Sequence, residues 1–348
     1  MRAITLIPGV PNSASLEEVP EPDIGEGSLL VRATALGVCG TDHEILSGHY
    51  GAAPPGQKRL ILGHESLGEI VEAPPQTGFF PGDRVVGIVR RPDPVPCPAC
   101  AGGEWDMCQN GLYTERGIKE RHGFGSEFFR LEPEFAVKVD PALELRAVLM
   151  EPASIVAKAW HHIESIGRRM KTWQPRSLLV TGAGPIGLLA ALMGRQRGLD
   201  LHVLDRNATG PKPELVAAIG GRVYASRAEI TDRSFDVVME CTAATAVIAE
   251  AIRRCAASGI VCLLGVSAPE NVDFDIGSLN QSLVLNNQVI CGSVNANRSH
   301  YEMAARALAA ADRDWLDRLI SRRVPLARWQ EALQTQPDDI KVVIDFRS

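Results

Sequence analysis

Ser177-Leu-Leu-Val-Thr181-Gly182-Ala183-Gly184-Pro185-Ile186-Gly187-Leu188-Leu-Ala-Ala-Leu-Met193 is the stretch that decides the fold. A short apolar run ends in three glycines and opens into an apolar run at helical length, so a buried strand, a tight turn and a buried helix are expected. Gly182 permits the turn, Gly184 lets backbone approach a pyrophosphate, and Gly187 lets the helix pack on the strand. Pro185 sits where a helix has no use for its missing N–H. The free N–H groups of the helix start then offer partial positive charge to a diphosphate, with Ala183 and Ile186 completing the turn. A glycine turn that binds nothing is the plain alternative, and both flanks argue against it.

Asp205 stands eighteen residues beyond Gly187, at the end of the next apolar run. A carboxylate there accepts from both adenosine ribose hydroxyls and repels a 2′-phosphate, which favours NAD. Arg206, directly after it, argues for NADP or for stacking on adenine. The cofactor is therefore read as NAD or NADP, with NAD ahead. Outward from the turn, Leu201–Asp205, Phe235–Glu240, Ile260–Gly265 and Val289–Gly292 read as further buried parallel strands. A helix is expected over Pro213–Ile219 before Gly220-Gly221. The right-handed crossover rule makes this an α/β, doubly wound sheet.

Residues 1 to about 150 have another texture, with short β-branched runs near Ser28–Thr34 and Asp83–Val89 between Gly and Pro turn signals. That half is expected to be mostly β. A helix is expected over Tyr301–Ala311, and the strand Ile340–Phe346 is expected to return to the first domain. The boundaries read as 1–153, completed by 312–348, and 154–311.

The 348 residues suit two domains. With 36 Lys and Arg against 42 Asp and Glu, the formal charge is −6, which disfavours nucleic acid and anionic membrane as partners. The longest uncharged stretch, 177–194, carries Gly182, Gly184, Pro185 and Gly187 and cannot be a membrane span. The start, with one Arg and early Pro8 and Pro11, reads as a first strand and not as a secretory signal. Eight cysteines are too few for a disulfide scaffold and point to a reducing cytoplasm.

Three separated segments bring metal-ligand chemistry: Gly37-Val-Cys39-Gly-Thr41-Asp42-His43-Glu44, Gly63-His64-Glu65-Ser-Leu-Gly68 and Glu151-Pro-Ala-Ser154. Thiolate, imidazole and carboxylate donors with a position left open are what catalytic zinc requires. Taken singly, Cys39 reads as a small buried hydrophobe, His64 as a core histidine, and Glu151 as a first-turn acid of a helix. Cys97, Cys100 and Cys108 form a C-x2-C-x7-C set in the proline-rich lobe after Arg91. Asp93 or Glu104 is a candidate fourth ligand for a structural zinc, an empty or weak site being the alternative. Cys241, Cys255, Cys262 and Cys291 read as core.

The Cys-Gly-Thr-Asp and Gly-His-Glu-x-x-Gly segments followed by the glycine turn resemble the zinc-dependent medium-chain alcohol dehydrogenase family. Val89-Arg90-Arg91-Pro92, Tyr113-Thr-Glu115-Arg116-Gly-Ile118, His122-Gly123, Glu151-Pro-x-Ser154 and Gly292-Ser-Val-Asn295 resemble its glucose 1-dehydrogenase branch. The resemblance runs end to end. It implies a mostly-β GroES-like catalytic domain beside a Rossmann domain, and zinc held by Cys39, His64 and Glu151 with Glu65 as a direct or exchanging ligand. Asp42 then orients His64, and Thr41 bonds the substrate hydroxyl and starts a proton relay. The family's relay histidine falls at Glu44. Pro94 replaces the first cysteine of the family's four-cysteine structural zinc lobe.

The resemblance further makes Glu115 and Asn295 the leading sugar contacts, with Glu151 beside them and Arg90 and His122 weaker candidates. A surface ion pair of Glu115 to Arg116 or Arg121 is the competing reading. By position in the fold, Gly265, Val266, Val294 and Asn295 line the nicotinamide. The expected activity is oxidation of an aldose at C1 to the lactone by a homodimer or homotetramer. A polyol or secondary-alcohol dehydrogenase, or a dinucleotide-binding protein without chemistry, are the alternatives.

Overall fold

The computed structural model describes residues 1–268, 270–271 and 273–348. The chain divides into two compact units, one of Met1–Ser154, Asn295–Ala310 and Leu319–Ser348, the other of Ile155–Val294 and Ala311–Arg318. The segment Asn295–Ala310, on the dinucleotide side of the boundary expected from sequence, groups with the first unit. Its helix Arg298–Ala309 is anchored there through the Arg298 guanidinium, which donates to the carbonyls of Pro133, Glu134 and Ala136.

In the first unit a seven-stranded sheet runs Ala136–Lys138, Arg84–Gly87, Glu65–Glu72, Leu29–Val38, Lys341–Asp345, Ile320–Pro325, with Phe128–Leu131 also on Leu29–Val38. The strand Leu29–Val38 alternates little because both its faces are covered, and Leu29, Val31, Ala33, Leu36 and Val38 enter one apolar core. Lys341–Asp345 pairs antiparallel with it, Val342 opposite Val38 and Asp345 opposite Ala35. A three-stranded sheet of Arg90–Arg91, Thr114–Arg116 and Glu120–Arg121 places Arg90 opposite Glu115.

The second unit is a six-stranded parallel sheet in the order Arg222–Tyr224, Asp200–Leu204, Ser177–Thr181, Phe235–Glu240, Cys255–Leu263, Val289–Gly292. Counted along the chain that is 3-2-1-4-5-6, the doubly wound Rossmann order, with the strand order reversing between Ser177–Thr181 and Phe235–Glu240. The short strand Arg222–Tyr224 was not expected from sequence. Expected helices Pro213–Ile219 and Tyr301–Ala311 form as Pro211–Ala218 and Arg298–Ala309. Among the described residues no helix is long and apolar enough to cross a membrane.

Candidate functional site

The helix Gly40–Leu46 starts from Cys39, whose backbone N–H donates to Asp42 Oδ2 at 2.8 Å. That first-turn bond is what a carboxylate at the third helical position does, and it fixes the thiol and Asp42 relative to one another. The other Asp42 oxygen lies 3.4 Å from His64 Nδ1, and both atoms are sealed from solvent with no other hydrogen-bond partner among the described residues. Asp42 Oδ1 is thus placed where a carboxylate orients an imidazole ring. Burial works against the charged imidazole, and Asp42 beside it overrides this, so the His64 pKa stands well above its ordinary value.

Glu65 begins the strand Glu65–Glu72 opposite Gly37. A Cβ on Gly37 would meet Glu65 Oε2 at 2.0 Å, so a side chain at position 37 would displace the Glu65 carboxylate. Cys39 Sγ, a ring nitrogen of His64 and a carboxylate oxygen of Glu65 lie within 4.8 Å of one another. Glu151, in the first turn of the helix Met150–Gly167, is buried but is not a member of that tight group. Burial raises its carboxyl to about 7, His64 opposes this, and Glu65 adds to it. Thr41 is half-buried on the same short helix as Asp42, whereas Glu44 is exposed there.

Sequence reasoning missed Lys341. Its Nζ lies 2.6 and 2.7 Å from the two Glu65 oxygens and donates to the Val38 carbonyl at 3.0 Å. The available signal was a lysine inside the apolar run Ile340-Lys-Val-Val-Ile344.

Glu115 is buried, and its partner is Arg90 in place of the Arg116 or Arg121 that the surface reading named. Its Oε1 accepts from Arg90 Nε and Nη2 at 3.1 and 2.9 Å and from Asn295 Nδ2 at 2.7 Å. Asn295 adopts φ +63°, a left-handed conformation asparagine tolerates better than most residues. The Arg90 guanidinium also lies 3.7 Å over the Tyr113 ring. His122 faces elsewhere, accepting from Ile61 N and bonding Gln57 Oε1.

The thiols of Cys97, Cys100 and Cys108 also lie within 4.8 Å of one another. Backbone N–H donors from Gln109 and Cys100 pull Cys97 down to about 6, while burial lifts Cys100 to about 11. Asp93, one candidate for a fourth ligand, spends its oxygens on Val95 N and Asn110 Nδ2. Glu104, the other, is exposed.

In the second unit Gly182 has φ +88°, and a Cβ on Gly187 would meet Gly182 O at 1.8 Å. Gly184 precedes the helix Pro185–Gln196, with nothing within 4 Å of where its Cβ would stand. Asp205 accepts from Ala183 N at 2.7 Å and from Asn207 N at 2.9 Å, which fixes it beside the turn. A cavity of about 600 Å³ is lined by Gly182, Gly184, Asp205 and Arg206 on one side and by Thr242 and Val247 on the other. Gly265 packs on Ala243, while Val266 and Val294 are exposed.

Residues 25–141 match the model for the alcohol dehydrogenase GroES-like domain, and residues 145–346 the model for the glucose dehydrogenase C-terminus. The chain is 41% identical to glucose 1-dehydrogenase of Thermoproteus tenax, covering 100% of both. It is 40% identical to glucose 1-dehydrogenase 1 of Caldivirga maquilingensis over 99% of each chain. The structure of Haloferax mediterranei glucose dehydrogenase in complex with NADP, zinc and gluconolactone superposes with a TM-score of 0.93 at 31% identity, covering 100% of both chains.

Proposed function

Because this chain belongs to the glucose dehydrogenase branch of the zinc-dependent medium-chain alcohol dehydrogenases, we propose that it oxidises glucose, or a closely similar aldose, at C1. The products are the lactone, a proton and NADH or NADPH. The observation that carries the reading is the meeting of Cys39, His64 and Glu65 donor atoms within 4.8 Å. Sulfur, nitrogen and oxygen donors suit zinc, and a histidine with a buried carboxylate behind it is the usual support of such a ligand. The donor set fits: Cys39, His64 and Glu65 would hold the ion, and Glu151 is buried close enough to feel the charges of His64 and Glu65. The glycine turn likewise fits a dinucleotide, since side chains at Gly182 or Gly187 would fill or distort the cradle.

Bound zinc supplies Lewis acidity that brings a sugar hydroxyl within reach of ionisation at neutral pH, and bound NAD(P) supplies the hydride acceptor. The chain's own residues do the rest. Thr41 accepts the proton of the reacting hydroxyl and passes it toward solvent along the helix that carries exposed Glu44. Asp42 keeps the His64 ring oriented, and Lys341 holds both Glu65 oxygens in place by hydrogen bonds. Glu115 turns Oε1 to Arg90 and Asn295, which leaves Oε2 to accept a sugar hydroxyl. An unmatched buried polar group costs about 1–3 kcal/mol, the source of discrimination between sugars. Asp205 favours the free ribose of NAD, while Arg206 and Arg227 on the same cavity leave NADP usable.

The test is a panel of glucose, galactose, xylose, sorbitol and simple alcohols, with NAD and with NADP, before and after chelation. Zinc-dependent turnover of an aldose is expected. Absence of any aldose activity overturns the reading.

The expected oligomer is a homodimer or homotetramer built on the outer strand Val289–Gly292. This strand is half-exposed, and the helix Ile276–Leu285 before it buries none of its residues and exposes Ile276, Val284 and Leu285. An apolar patch beside an uncovered edge favours a partner; light scattering that returns a monomer overturns this. The eight free thiols suit the reducing cytoplasm.

A further inference from the structure

Glu240 ends the strand Phe235–Glu240 and is fully buried. Its Oε1 accepts from Thr181 Oγ1 at 3.1 Å, from Thr242 N at 2.7 Å and from Thr242 Oγ1. Its Oε2 accepts from Ala243 N at 3.2 Å. All of these donors are backbone N–H or hydroxyl groups. Taking a carboxylate out of water is expensive unless its lone pairs are matched, and an apolar side chain would fill the same space at less cost. A carboxylate is an acceptor-only group, and that property is what four converging donors call for.

The donors lie on the two sides of the point where the strand order reverses. Thr181 and Glu240 are Cα partners at the carboxyl ends of the two flanking strands, where ligands of doubly wound sheets sit. Thr181 leads directly into Gly182. Thr242 and Ala243 belong to the loop that leads into the helix Thr245–Arg253. That loop is tightly held: Ala243 adopts φ +61°, its carbonyl accepts from Ser267 Oγ at 2.5 Å, and a Cβ on Gly265 would meet its nitrogen at 2.4 Å. The Thr242 hydroxyl, committed as a donor to Glu240, accepts from Ala244 N at 3.1 Å. Its methyl lies 2.8 Å from where a Cβ on Gly182 would stand. Thr242 and Ala244 line the 600 Å³ cavity opposite the glycine turn.

We infer that Glu240 is a positioning residue for the dinucleotide: one buried carboxylate laces the glycine turn to the opposite wall of the cavity and holds the cavity open in its binding shape. The inference rests on the reading that this cavity takes NAD(P). Glu240 touches no ligand itself. It acts through Thr181, Thr242 and Ala243, and a wall held in place beforehand does not have to be ordered when the nucleotide arrives.

Glu240→Gln keeps the side-chain size and replaces one acceptor oxygen with an amide that points hydrogens at a backbone N–H. Calorimetric titration with NAD and with ADP-ribose reads binding directly, and steady-state kinetics read the Michaelis constants. Glu240→Gln is expected to weaken both nucleotides about tenfold, the size of one strong hydrogen-bonding loss, while the KM for glucose stays within about twofold. Thr242→Val, which leaves Glu240 in place and removes one of its donors, is expected to weaken them about threefold. Should Glu240→Gln fail to fold, Thr242→Val decides alone, and unchanged nucleotide affinity in it overturns the inference.

A Glu240→Gln protein that binds NAD as tightly as the unsubstituted one overturns the inference and leaves the proposed function standing. A KM for glucose that rises in step with that for NAD marks general loosening and overturns it as well. An unsubstituted protein that binds neither NAD, NADP nor ADP-ribose overturns the reading of the cavity, and the inference with it.

Discussion

Lys341 Nζ sits 2.6 Å from Glu65 Oε1, and both side chains are sealed from solvent. Burial alone would lower the lysine pKa, and the Glu65 charge raises it above its ordinary value. Removing one member of such a pair strands the other, so Lys341→Met is expected to cost about 3–5 kcal/mol. Urea unfolding monitored by fluorescence measures it. A loss below about 1 kcal/mol contradicts a buried, mutually dependent pair.

Cys39→Ala removes the thiol that starts the helix Gly40–Leu46. Turnover should be lost and zinc content should fall, while NAD still binds, because the glycine turn lies in the other compact unit. Elemental analysis beside NAD titration checks both halves of this expectation.

Asp205→Ala takes away a carboxylate held by Ala183 N and Asn207 N and leaves Arg206 and Arg227 on the cavity. The ratio of kcat/KM for NAD over NADP should fall at least about tenfold, the equivalent of about 1.4 kcal/mol. A strong preference for NADP in the unsubstituted protein would show that Asp205 does not set cofactor choice.

Gly187→Ala would drive a methyl into Gly182 O, 1.8 Å from the ideal Cβ position. The turn and the helix Pro185–Gln196 must part to admit it, at about 1–3 kcal/mol of overpacking. Nucleotide affinity should drop more than glucose affinity, as separate Michaelis constants would reveal.

Acid stability carries a signature from Glu132. Burial pushes its carboxyl up, but the Arg91 guanidinium, with Arg116 and Arg121 beyond it, holds the pKa down at about 2. The folded value is below the unfolded one, so the contribution to stability is fully present above about pH 4.5 and is lost as pH falls toward 2. Its size is on the order of 2–3 kcal/mol. The stability gap between the unsubstituted protein and Glu132→Gln should therefore be wide at pH 7 and narrow near pH 2.5. An equal gap at both pH values contradicts the assignment.

The Rossmann unit was largely legible in the sequence because its information is local. Apolar runs, a glycine turn and a carboxylate at the next strand end follow one another within thirty residues, and the expected strands formed within one residue of their bounds except Ile260–Gly265, which forms as Cys255–Leu263. Arg222–Tyr224 escaped notice because three residues at a sheet edge carry little pattern. The β unit was readable as a texture but not as a topology. Its pairings join distant segments, such as Leu29–Val38 with Lys341–Asp345.

The same distinction divides the site. Cys39, His64 and Glu65 stand in dense local motifs that single them out in the sequence, and the structure brings their donor atoms together. Lys341 and Arg90 act through partners 276 and 25 residues away, and neither local spacing nor periodicity carries that information. Glu240 was placed in a strand from its apolar neighbours, yet three of its donors belong to the loop that folds back beyond it and the fourth to the neighbouring strand.

The return of Lys341 to Glu65 orders events during synthesis. A ribosome emits Glu65 and its neighbouring ligand positions early, then must deliver the whole of the parallel sheet before the counter-ion 276 residues downstream appears. Until then the nascent first unit lacks the ammonium that bonds both Glu65 oxygens. A chain halted before residue 341 therefore lacks both that cation and the strand Lys341–Asp345 that pairs with Leu29–Val38.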